Sequence, residues 1–80
     1  MAKRQVMFTF PMELIKEPVI FNLGVQFKVI PNIRQADISE SKGWVVLELE
    51  GEEKDIEEGI AWLISKGIRV DPVSGDVMEG

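Results

Sequence analysis

The strongest constraint on this chain is a change of hydrophobic period that occurs twice in the same order. From Gln5 to Phe10 the side chains alternate, with Val6, Phe8 and Phe10 on one side and Met7 and Thr9 on the other. From Trp44 to Glu50 the alternation returns, setting Val45, Leu47 and Leu49 against Trp44, Val46, Glu48 and Glu50. A two-residue period marks a strand with one buried face. Each run then gives way to apolar residues at helical spacing. After Pro11, Pro18 suits the first position of a helix, where its missing N–H costs nothing. Ile20, Leu23, Gly24 and Phe27 share one helical face, and Phe21 points away from it. After Gly51, a second helix is expected over 52–66. Its acids Glu52, Glu53 and Asp55 gather in the first turn and Lys66 lies in the last, matching the macrodipole. Ile56, Ile60, Leu63 and Ile64 form its buried stripe, and Gly67 is the expected left-handed cap.

Each helix leads into another strand. Pro31 cannot donate a backbone hydrogen bond and biases Ile30 toward extended backbone, so a turn is expected around Pro31 with a strand over 33–39. Ala36 and Ile38 face its inner side. Glu40-Ser41-Lys42-Gly43 is turn chemistry that returns the chain antiparallel. The last strand spans 68–73 with Ile68 and Val70 inward, and Pro72 requires it to be an edge or an end. Met12–Glu17 is a connector whose Leu14 and Ile15 tuck under the core, and 74–80 is a flexible tail. Gly59, beside the second buried stripe, indicates close approach of that helix to the sheet.

Two strand–helix–strand units crossing right-handed put both helices on one face of a four-stranded antiparallel sheet. The fold class is therefore α+β, a ferredoxin-like βαββαβ arrangement forming one domain over 1–80, with the second and last strands at the edges. The core is expected from Val6, Phe8, Phe10, Leu23, Phe27, Ile38, Leu47, Leu49, Ile56, Ile60, Leu63 and Val70. The other sheet face carries Met7, Thr9, Gln35, Asp37, Trp44, Val46, Glu48, Arg69 and Asp71. Trp44 and Val46 there are unusual on a face meant only for water. With Met7, and with Phe21 and Trp62 displaced from their helices' buried stripes, they are the candidate interface residues. Phe21 and Trp62 have a second reading, as covers for long neighbouring side chains.

Composition narrows the chemistry. The chain has no cysteine and no histidine, which removes disulfides, the usual structural zinc and iron–sulfur ligands, and the common neutral-pH general base. A net charge of −5 repels phosphate backbones and anionic membranes. No apolar run approaches the roughly 20 residues that span a bilayer, and no signal-peptide pattern opens the chain, so a cytoplasmic location is expected. The acids from Glu48 to Glu58 alternate along a strand and scatter round a helix start, unlike the converging loop of a hard-cation site. No cofactor, metal site or catalytic residue is expected. Eighty residues bury only about 60% of their unfolded surface, so self-association would help such a domain.

Asn32 is the residue best suited to a ligand, because its amide both donates and accepts. It also suits a turn. With Ile33 and Arg34 it forms the candidate ligand-binding segment at the start of an edge strand, where backbone groups are partly unpaired.

In order and spacing, Phe8-Thr9-Phe10-Pro11, Glu17-Pro18, Asn32-Ile33, Leu47-Glu48-Leu49-Glu50-Gly51, Ile60-Ala61-Trp62-Leu63 and Gly67-Ile68-Arg69-Val70 resemble the NIL domain family, named for an Asn-Ile-Leu motif. Arg34 stands where that motif has Leu. The resemblance implies a non-catalytic, ferredoxin-like regulatory domain of methionine-importer ATPases that pairs with its copy and binds methionine. It also implies kinship with domains fused ahead of a two-cluster iron–sulfur ferredoxin module in sulfur amino-acid metabolism, to which the opening and tail are more similar. Two functions follow. One is sensing of methionine or a related sulfur amino acid. The other is a protein-interaction or dimerisation module, a homodimer through the open face or an edge strand, serving a ferredoxin-type iron–sulfur partner in trans.

Overall fold

The structure, a computed structural model, describes residues 1–11, 18–39 and 42–73. Its elements are β1 (Ala2–Phe10), α1 (Val19–Phe27), β2 (Ile30–Ile38), β3 (Gly43–Gly51), α2 (Glu53–Ser65) and β4 (Arg69–Pro72). They form the α+β, ferredoxin-like architecture that the two periods dictate. The sheet order is β2-β3-β1-β4 with every neighbouring pair antiparallel, so β2 and β4 are the edges. β1 and β3 pair along their full length, from Ala2 opposite Gly51 to Phe10 opposite Gly43.

The alternating residues behave as their period requires. Val6, Phe8, Phe10, Val45, Leu47 and Leu49 are buried beneath the helices, where Val19, Leu23, Ile56, Leu63 and Ile68 meet them. Phe27, Ile60 and Val70 are partly buried against this core. Gly67 adopts φ 91°, the left-handed backbone expected of it. Val19 and Val29 complete the core from positions that the helical spacing does not single out. The connector 12–17, the turn residues 40–41 and the tail 74–80 lie outside the described residues.

Four local expectations are corrected. First, the chain turns at Lys28, not around Pro31. Lys28 caps α1 in left-handed backbone (φ 61°, ψ 35°), and Pro31 and Asn32 already lie within β2. Proline is tolerated there because an edge strand leaves one side of its backbone unpaired. Second, Ile38 is 55% exposed and stands outside the core, as does Ala36. Both lie on the helix side of the sheet, opposite Gly43 and buried Val45. Yet a nine-residue helix is only about 14 Å long, against about 30 Å for a nine-residue strand, so α1 cannot cover β2 to its end.

Third, Ile64 is 56% exposed. Ile56, Gly59 and Leu63 are the buried residues of α2, which centres its inner stripe about 100° from Ile64 at 100° per residue. Fourth, Gly59 permits approach to α1, not to the sheet. A Cβ built there would lie 2.7 Å from Leu23 Cδ1 and 3.6 Å from Phe27.

Candidate functional site

The sheet face away from the helices is assembled by strand register. Residues opposite one another in an antiparallel pair share a face. The pairs Thr9–Trp44, Met7–Val46 and Gln5–Glu48 run along β1 and β3 on that face. β2 adds Asp37 beside Trp44, Gln35 beside Val46 and Asn32 beside Glu48. β4 adds Arg69 beside Thr9 and Asp71 beside Met7, and Arg69 Nε donates to Asp71 Oδ2 at 3.0 Å. The result is an apolar band of Trp44, Val46 and Met7 with polar rows on either side.

Between Ile33 and Gln35 the β2–β3 register shifts by one residue, leaving Arg34 as the unpaired extra. A bulge of this kind re-aims a side chain. Here the Arg34 guanidinium reaches Glu48, with Nη1 at 3.9 Å from Oε1. Glu48 thus has Asn32 as its cross-strand neighbour and Arg34 as its ion-pair partner. Ile33 pairs with buried Leu47 and therefore lies on the helix side, 56% exposed. The three candidate residues do not share one face: Asn32 and Arg34 neighbour Glu48 on the open side, and Ile33 lies behind them.

Glu48 is the residue that the linear pattern undervalued. On its other flank it lines a groove of about 380 Å³ together with Lys3, Arg4, Gln5, Pro72 and Val73. The groove lies where the described part of β4 ends: β4 pairs with Val6–Thr9, and the Val73 N–H donates to the Gln5 carbonyl oxygen at 3.1 Å. No single stretch carries this signal, because it depends on which strands become neighbours. Arg4, on the opposite face, reaches over to Glu53 and Glu57 of α2 at 3.6 and 3.8 Å.

The interface candidates separate in their exposure. Met7, Trp44, Val46 and Trp62 are half-buried, whereas Phe21 is 68% exposed. Trp62 spends part of its surface within the helix layer, with its ring 5.5 Å from that of Phe27 and Lys66 Nζ 5.3 Å above it. Among the described residues no three acids converge on a point that would hold a metal ion, and no polar side chain is buried.

One covered and one open sheet face, with all of its described polar chemistry at the surface, define a small α+β domain of ferredoxin-like topology. The chain belongs to the NIL domain family, whose sequence signature matches residues 4–72. The C-terminal domain of an ABC transporter ATP-binding protein from Enterococcus faecalis has the same fold. It superposes with a TM-score of 0.79 at 24% identity, over 89% of this chain and 83% of that one. No curated protein matches the chain.

Proposed function

We infer that the chain is a non-catalytic regulatory domain that senses a small amino acid, methionine or a related sulfur amino acid, on its open sheet face. Membership of the NIL family supports the regulatory role. One observation carries the choice of ligand: Asn32 stands opposite Glu48 in the strand register and Arg34 pairs with Glu48, beside a groove of about 380 Å³. A zwitterion needs a cation for its carboxylate, an anion for its ammonium and an amide between them. Arg34, Glu48 and Asn32 are those three groups. The Arg34–Glu48 pair is long and its Arg34 side chain is exposed, a kind of ion pair worth little in water, so the guanidinium can turn to a ligand. Val46 and Met7, the next cross-strand pair along, offer an apolar surface to a thioether. Arg34 in place of the family motif's Leu then supplies a carboxylate contact.

Calorimetric titration with methionine, homocysteine and cysteine tests this reading. Losing one such contact typically costs about 1–3 kcal/mol, so Asn32→Ala should weaken methionine binding roughly 5- to 150-fold. The exposed Asn32 side chain contributes little to the fold, so the Tm should barely move. No heat with the unmodified protein, together with a Tm several degrees lower in Asn32→Ala, would return Asn32 to a purely structural role.

A second reading, a module for association, is favoured by a different observation. Large apolar side chains on α1 and β2 are left in water.

A further inference from the structure

β1 is the most basic element of an acidic chain: Lys3 and Arg4 lie in it and no acid does, against a net charge of −5 overall. The two cations serve opposite faces of the sheet, because side chains alternate along a strand. Arg4 is engaged by Glu53 and Glu57 of α2. Lys3 is on the open face, directly opposite Glu50, yet among the described residues it closes no ion pair. It is exposed, and it lines the groove beside Gln5 and Glu48. The amino-acid site described above uses Arg34 for a carboxylate and Glu48 for an ammonium. That leaves one cation in the groove without a role.

The strand order gives that cation a place in the same site. β1 and β2 flank β3 on either side, about 10 Å apart. Glu48 of β3 therefore has Arg34 on one flank and the Lys3 groove on the other. A ligand whose ammonium meets Glu48 has a cation to each side of it. Pro72 and Val73 add apolar surface to the groove, which suits a carbon–sulfur chain. An acidic protein repels anions over most of its surface, and a lysine in the groove offsets that repulsion locally. We propose that the preferred ligand is a thioether amino acid with a second carboxylate, and that Lys3 is the specificity-determining residue that binds it. The proposal rests on the amino-acid reading and narrows it. Methionine, homocysteine and cysteine have one carboxylate each and leave Lys3 unused.

Two probes that differ only at the far end test it. S-carboxymethylcysteine carries a carboxylate where S-methylcysteine carries a hydrogen. In calorimetric titration of the full chain, the first should bind roughly 3- to 10-fold more tightly, the gain expected of one partly exposed charge contact. In Lys3→Gln the ratio of the two affinities should fall toward one, and continued binding of S-methylcysteine would show that the site is still formed. Lys54→Gln, an exposed lysine of α2 on the other side of the sheet, should leave the ratio unchanged. Equal affinities in the unmodified protein, a preference that survives Lys3→Gln, or one lost as fully in Lys54→Gln would overturn the proposal while the amino-acid reading stands. If neither probe binds, both fall together.

Discussion

Lys28 occupies a backbone conformation that glycine normally holds. Left-handed backbone brings Cβ against the following carbonyl, at roughly 1–2 kcal/mol for a residue other than glycine. The position is fixed from both sides. Val29 must turn into the core, and Gly51 lies so close that a Cβ on it would be 3.3 Å from the Lys28 carbonyl oxygen. Lys28→Gly should therefore stabilise the domain by up to about 1 kcal/mol, part of the relief being offset by the freer unfolded chain. Urea unfolding measures this, and an unchanged midpoint would show that the lysine side chain supplies a compensating contact. The sequence could not reveal this residue, because nothing about lysine signals a left-handed turn. Pro31, three positions on, drew that role because proline is the stronger breaker. Asn32 was legible as a polar residue in an unusual setting. Its place beside Glu48 and Arg34 was not, since a one-residue register shift decides it.

At the scale of elements, legibility followed burial. β1 and β3 are central and one-sided, so their alternation marked position, direction and inner face. β2 lies at the edge, and every residue in it except Pro31 is exposed, so period alone could not assign Ile38 to the core or to water. The stripe on α2 is rotated from the one its apolar residues trace, because Gly59 admits Leu23 and Ile64 is left in water. These placements differ in energy. Leu47, fully buried in β3, should cost about 2–5 kcal/mol when replaced by alanine. Ile38→Ala, at a position more than half exposed, should cost less than about 1 kcal/mol. Equal costs in chemical denaturation would mean that something covers the far end of β2.

For the whole molecule, the governing fact is that the sheet's central pair is remote in sequence. β1 ends at Phe10 and β3 begins at Gly43, with 32 residues between them. Closing that loop costs entropy before any pairing rewards it. Folding in stopped-flow refolding should therefore relax over about milliseconds or more, slower than helical bundles of similar size. A relaxation of a few microseconds would mean that the strands pair by another route. The same separation governs the chain during its synthesis. At about 5–20 residues per second, β1 leaves the ribosome some seconds before the last residue of β3 follows it. Throughout that interval Val6, Phe8 and Phe10 form an alternating apolar strand without a partner. That is when chaperones or aggregation compete for it, and the nascent chain is most vulnerable at the segment that will become the most deeply enclosed.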